Sequence, residues 1–354
     1  MRLRNRMPIG LPRLLGMTLG AAAGLALSGW AVQSLRPPEQ TPIPILTGCS
    51  DARQPIPVLT NHTASDRFGG VWKNPKDTAA LSLNFSPYYL PGSDPEEGSP
   101  VSEEAMRRAL DGIIPFTDTI RTFGVSGELN KLYKIAREGY GLRIIAGCWI
   151  SGQSEEEILE ELKILADLGN ENLADILVVG SEGLMRGDYD AETLIGWVDY
   201  LRGALTRDAP VGVSDTAGAL LDNPNVLQAV DVALFTYYPY FNGVSIEGAS
   251  ADFDRIYRRM QKAAGQTKLI CSETGWKFEG SNTNPETAAR YFNEILAYSR
   301  RENLEICYFQ ALEEKWKLKY DDAGWGLLDE NLNPRPSVSE ALDRIAEQIK
   351  EAVP

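Results

Sequence analysis

Two glutamates stand where an apolar run gives out. In "DILVVGSEG" (175–183), Ile176–Val179 is wholly apolar, Gly180 and Ser181 break the run, and Glu182 follows. In "KLICSETGW" (268–276), Glu273 closes the run in the same way. A stretch without polar residues suits a strand buried on both faces. Its end is the rim of a core, where a carboxylate is either solvated or held for chemistry. If both rims belong to one sheet, the carboxyls form a pair. One can attack as a nucleophile while the other, kept protonated by burial and by its neighbour's charge, gives and takes a proton.

Little else in the 354 residues competes for that role. The single histidine, His62, lies in a polar stretch, which removes a Ser–His–Asp triad, an HExxH zinc site and a multi-histidine centre. No metal and no other cofactor is expected. Cys49, Cys148, Cys271 and Cys307 show no CxxC spacing, and three of them lie in or beside apolar runs. Free buried thiols are the reading, not a disulfide scaffold. Formal net charge is −14, and since residues 1–40 are basic, the remainder is more acidic still. Such a surface repels phosphate backbones, so no nucleic-acid partner is expected.

From residue 79 the pattern alternates. Apolar runs at 80–86, 118–124, 142–150, 175–180, 210–214, 230–238, 268–273 and 304–311 read as strands. Between them lie amphipathic stretches with helix-start signals. Ser154 with Glu157 and Ser337 with Glu340 have capping-box spacing, Asp190 precedes a helix pattern, and Asn284-Pro285 suits a cap with proline at the first helical position. Eight strands alternating with about eight helices is the arithmetic of an α/β fold of the (β/α)8 TIM-barrel type. An open doubly wound sheet is the alternative, but no GxGxxG or Walker-A loop follows an early strand. In a barrel the C-terminal strand ends form the active face. Glu182 would follow strand four and Glu273 would end strand seven. Retaining glycosidases hold two carboxyls about 5–5.5 Å apart, which such a pair would suit.

Ahead of this region, residues 1–13 carry four arginines and residues 14–35 carry no charge. Leu14–Val32 is long enough to span a bilayer, and the basic flank predicts the N-terminus inside. A transmembrane anchor is favoured over a cleaved signal segment, for which "SGWAV" offers small residues. Residues 36–78 read as a proline-rich linker and lead-in, and 79–354 as the barrel. The barrel is then expected outside the cytoplasm, periplasmic or extracellular, and secreted if the segment is cleaved.

The motifs "SLNFSPY" (82–88), "IRTFG" (120–124), "VVGSE" (178–182), "YYPYFNG" (237–243), "SETGW" (272–276), "FQALEEKWK" (309–317) and "WGLL" (325–328) resemble, in order and spacing, the family-17 glycoside hydrolases. These are 1,3-β-glucanases and glucan transglycosylases, and the likeness covers residues 79–336. The resemblance implies a TIM barrel, a retaining mechanism, no metal and a β-glucan substrate. It implies Glu182 as proton donor and Glu273 as nucleophile. Substrate-binding positions carried over are Asn84, Tyr88, Ser181, Tyr238, Trp276, Glu313, Glu314, Trp316, Lys317 and Asp322. Ser181 stands where the family usually has an Asn that bonds the sugar 2-OH, Asp322 where many members have Glu, and Thr236 where Asn is frequent. Glucan transglycosylation and a noncatalytic glucan-binding barrel remain as alternatives.

Overall fold

The computed structural model of the chain describes residues 68 and 70–352. The apolar segment 14–35, most of the linker, His62 and Cys49 lie outside them. Among the described residues no helix is long and apolar enough to cross a membrane.

All eight expected strands are present, and each is parallel to the next: β1 (Leu81–Asn84), β2 (Thr117–Arg121), β3 (Arg143–Cys148), β4 (Ile176–Ser181), β5 (Val211–Thr216), β6 (Val232–Thr236), β7 (Lys268–Thr274) and β8 (Ile306–Tyr308). β1 pairs with β8 as well as with β2, closing the barrel and removing the open-sheet alternative. The helices are α1 (Glu103–Ile113), α2 (Leu129–Lys134), α3 (Glu155–Asn170), α4 (Gly183–Arg186), α5 (Ala191–Ala204), α6 (Ala217–Asp222), α7 (Pro224–Ala229), α8 (Ile246–Ala264), α9 (Pro285–Glu302) and α10 (Pro336–Ala352).

Local signals account for most helix starts. Ser154 and Glu157 form a reciprocal capping box on α3. Asp190 accepts from Thr193 N at 2.8 Å on α5, and Asn284 from Thr287 N at 2.8 Å on α9. The box expected at Ser337 and Glu340 does not form. Pro336, which needs no hydrogen bond to its nitrogen, takes the first helical position, so Ser337 lies inside α10 and its hydroxyl is buried without a partner.

Two apolar layers hold the barrel. Alternate residues such as Leu177 and Val179 face the helices, while Ile176 and Val178 fill the interior with Ile145, Val232, Leu234, Ile270 and Cys307. Cys148, Cys271 and Cys307 are free and buried, as their apolar settings suggested. Val71 and Trp72 of the lead-in pack against the interior cluster. The lead-in is tied there by polar groups at the N-terminal strand ends. Arg143 donates to Val71 O at 2.7 Å and pairs with Glu305, which also accepts from Ser82 at 2.9 Å; Lys73 pairs with Asp118. Glu305 is almost wholly buried. Removing its charge leaves Arg143 facing Lys73 and Lys268 without its carboxylate, and losing one partner of a buried pair costs about 3 kcal/mol. Glu305→Ala should therefore unfold at clearly lower urea, and an unchanged midpoint would contradict a structural role for this network.

Candidate active site

Both glutamates reach the C-terminal rim because their strands break step. In β4 the outward-facing Leu177 and Val179 predict an outward Ser181 by simple alternation. Pairing with β5 instead skips a residue between Val179 and Ser181, with Gly180 at φ +71°. The chain is re-phased, Ser181 turns inward, and Glu182 follows in the left-handed region at φ +56°, an uncommon conformation for a side chain-bearing residue. Tyr189 covers this turn so closely that a Cβ on Gly183 would meet its ring at 2.1 Å. In β7, Cys271 pairs with Phe235 but Glu273 pairs with Thr236, again skipping a residue. Ser272 and Glu273 therefore both contact the interior.

Arg121, the last residue of β2, lies between the two sites. Its Nη1 donates to Glu273 Oε1 at 2.7 Å and to Asn84 Oδ1 at 2.8 Å. Its Nη2 donates to Ser214 Oγ at 3.0 Å and to Ser181 Oγ at 3.3 Å. The second oxygen of Glu273 accepts from the Tyr238 hydroxyl at 3.1 Å. Burial first, and then the charges of Glu273 and Glu182, push the Tyr238 phenol far above its ordinary value, so it stays a donor.

Glu182 sits in the opposite electrostatic setting. It is 4% exposed. Burial, then the negative charges of Glu273 and Asp215, raise its carboxyl to about 8, with Arg186 and Arg121 acting the other way. At neutral pH it holds a proton beside a glutamate whose two oxygens are held by a guanidinium and a phenol, donors suited to an anion.

The remaining sequence-derived positions divide. Asn84, Ser181 and Tyr238 join this cluster, Asn84 also donating to Ser272 O and Cys307 O. Glu314, Trp316, Lys317 and Tyr88 form a second group nearby. Glu314 accepts from Ser86 at 2.6 Å and Trp316 Nε1 at 3.1 Å, and pairs with Lys317 at 2.7 Å. Asp322 accepts from Trp325 Nε1 at 3.0 Å and lies 3.7 Å from Lys277. Glu313 belongs to neither group: its carboxylate is taken up by the amides of Gly324 and Gly326 and by Arg335. Trp276 is buried against Tyr240 and Tyr291, its Nε1 unpartnered.

Arg121, Ser214 and Asp215 were not singled out from the sequence. Ser214 and Asp215 carry the signal that marked the glutamates, polar residues that close the run of strand five. Arg121 does not, because of Thr117-Asp118-Thr119-Ile120 before it only the isoleucine is apolar.

A family model for the BtgE/BtgC glycoside hydrolase domain matches residues 82–326. The glucan 1,3-beta-glucosidase of Schizosaccharomyces pombe is 27% identical over 230 residues, 58% of this chain and 70% of that protein. An Aspergillus niger protein named as a glucan endo-1,3-beta-glucosidase is 26% identical over 279 residues. That span is 68% of this chain and 40% of the relative, so the chain matches well under half of that protein's length. Among solved structures, the family-17 beta-1,3-glucanosyltransferase of Rhizomucor miehei superposes with TM-score 0.64 at 24% identity, covering 73% of this chain and 96% of that one. An active-site mutant of that enzyme in complex with laminaritriose gives 0.63 at 23% identity, with the same coverage. These likenesses establish the barrel fold, and the family match spans the strand ends that carry Glu182, Glu273 and Arg121. The chain belongs to the BtgE/BtgC glycoside hydrolase family.

Proposed function

We propose that the protein is a retaining glycoside hydrolase of family 17 that cleaves 1,3-β-glucan, with Glu273 as nucleophile and Glu182 as acid/base. The observation that carries this reading is the opposite setting of two carboxyls at one rim. Glu273 accepts from Arg121 and Tyr238, while Glu182 is buried and raised toward the proton-bound form. Environments that drive two titratable groups apart mark an acid and its partner.

In the first step a Glu273 oxygen attacks the anomeric carbon. The bond to the leaving sugar oxygen breaks as Glu182 passes its proton to that oxygen, leaving a glycosyl ester on Glu273. In the second step the Glu182 carboxylate takes a proton from water. The water oxygen bonds to the anomeric carbon, and the ester breaks to return both groups to their starting forms. Tyr88, Trp316 and the Glu314–Lys317 pair are assigned to sugar binding. Their aromatic faces suit the apolar C–H faces of pyranose rings. The 1,3-β linkage is taken from the names of the relatives. A polysaccharide substrate and the apolar segment at 14–35 together support a location outside the cytoplasm, tethered or secreted.

Transfer to a sugar hydroxyl in place of water is the second reading, favoured by the likeness to the Rhizomucor miehei glucanosyltransferase. A mass profile of laminari-oligosaccharides incubated with the protein separates the two. Shorter products mean hydrolysis, products longer than the input mean transfer, and an unchanged profile rejects both.

Roles within the pair follow from variants. Glu273→Ala should lower kcat by roughly 10⁴-fold or more, and azide should then give the α-glycosyl azide. Glu182→Ala should lose about 10²–10⁴-fold, and azide should give the β-glycosyl azide. Exchanged products would reverse the assignment.

Glu182 works as an acid only while protonated. The alkaline limb of kcat/KM should therefore fall as pH rises through about 8. A limb placed near the ordinary carboxyl range would remove Glu182 from the acid role.

A further inference from the structure

The turn that carries Glu182 has an unusual cap. Glu182 occupies the N-cap position of α4 but makes no side-chain cap bond. The first amides of a helix have no partner within it, and the cap residue's own side chain ordinarily supplies one. Here the acceptor comes from the next strand. Asp215, fully buried at the end of β5, accepts from Leu184 N at 2.8 Å and Met185 N at 3.3 Å, and from Thr216 N at 2.7 Å. The carboxyl of Glu182 is thereby released from capping while its backbone stays fixed. Glu182 N also donates to Ser214 O at 2.9 Å, so β5 holds the turn at two points.

We propose that Asp215 is the positioning residue of the acid/base: its carboxylate clamps the turn that carries Glu182 and supplies the negative field in which Glu182 keeps its proton. The proposal rests on the reading of Glu182 as acid/base. The carboxylate meets the amides with both of its oxygens, whereas an asparagine would offer one acceptor and turn its NH2 toward the rest. Asp215→Asn therefore changes the clamp as well as the charge, and the Glu182 midpoint is what reads the charge.

The charged groups facing Glu182 are Glu273 from β7, Asp215 from β5, Arg186 from α4 and Arg121 from β2, and the Tyr238 phenol after β6 stands there as a neutral donor. The two acids favour its protonated form and the two arginines oppose it. Asp215 itself is pushed up to about 6 by burial, against the pull of its three amides and Arg186. Between about pH 6 and 8 the clamp is therefore an anion while Glu182 still carries its proton.

The test is a 13C NMR titration of glutamate carboxyls in the full chain, with Glu182 assigned by the signal lost in Glu182→Gln. In Asp215→Asn the Glu182 midpoint should move to lower pH. For a midpoint moved down by about one pH unit, the ratio of kcat/KM at pH 8 to that at pH 6 should fall by about fivefold, because the protonated fraction at pH 8 drops from about one half to about one tenth while at pH 6 it stays near one. Asp215→Glu should restore the midpoint while kcat stays low. An unmoved Glu182 midpoint in Asp215→Asn, or equal loss at all pH values, would reduce Asp215 to a structural cap and overturn the proposal. If the variants do not fold, the unsubstituted protein answers: the Leu184 and Met185 amide resonances should titrate with a midpoint near 6, and resonances that stay put would overturn the clamp. The titrations need no substrate. Failure to cleave glucan with a displaced Glu182 midpoint would count against the substrate reading and leave the role of Asp215 standing.

Discussion

The Arg121 guanidinium is the constraint on which the rim depends. A cation buried to 1% exposure is tolerated only among acceptors placed around it. Its partners come from four other strands: Asn84 on β1, Ser181 on β4, Ser214 on β5 and Glu273 on β7. One planar group therefore fixes the spacing across the barrel mouth. It also holds the charge that Glu273 brings into the interior, while Phe123 covers it at 4.5 Å. Without that cation Glu273 would keep only the Tyr238 hydroxyl as a side-chain partner, and most of the setting that distinguishes it from Glu182 would be lost.

Getting carboxylates to that cation requires breaking the strands. A regular strand at β4 would send Ser181 outward, toward the helices. The skipped residue beside Gly180 and the skipped residue opposite Thr236 each re-aim one side chain, the usual effect of a bulge. The left-handed Glu182 then needs support from outside its own turn, which Tyr189 gives by packing and Asp215 by accepting amide protons. Strain and support are thus concentrated at Glu182, while the Glu273 side of the barrel is held by ordinary hydrogen bonds.

Much of this was legible in the sequence, because an apolar run ended by a polar residue marks a barrel rim wherever it occurs. That signal located Glu182 and Glu273, and the alternation along the chain located all eight strands. Applied equally, the signal would also have found Asp215 after "PVGVS", which ending strand five at Ser214 obscured. Arg121 follows "TDTI", with one apolar residue in four, and carries no such mark. Bulges leave no comparable mark, since Gly180 reads as a turn as readily as a register shift. The family likeness placed Glu313 beside Glu314, but adjacent residues on an extended chain point apart, and Glu313 faces Arg335 and the Gly324–Gly326 loop. Ser337 resembled a cap because spacing alone does not show that Pro336 has already begun the helix.

The departures from the family pattern are connected to one another. Ser181 and Thr236 both carry hydroxyls where the likeness leads one to expect asparagine, and they lie on different strands. Ser181 bonds Arg121, Arg121 bonds Ser214, and Ser214 meets Ser272 at 3.1 Å, which meets Thr236 at 3.1 Å. The two positions are joined through Arg121, whose guanidinium donates to Ser181 on one side and to the Ser214–Ser272–Thr236 hydroxyls on the other. A hydroxyl both donates and accepts and turns to suit its neighbour, whereas an amide has fixed donor and acceptor ends. Because the guanidinium only donates, Ser181 and Ser214 both meet it as acceptors, and the hydroxyls from Ser214 toward Thr236 take their direction from it. The energies of such neighbours do not add. Ser181 and Thr236 thus belong to one network around Arg121, and a substitution at either acts on the setting of that cation.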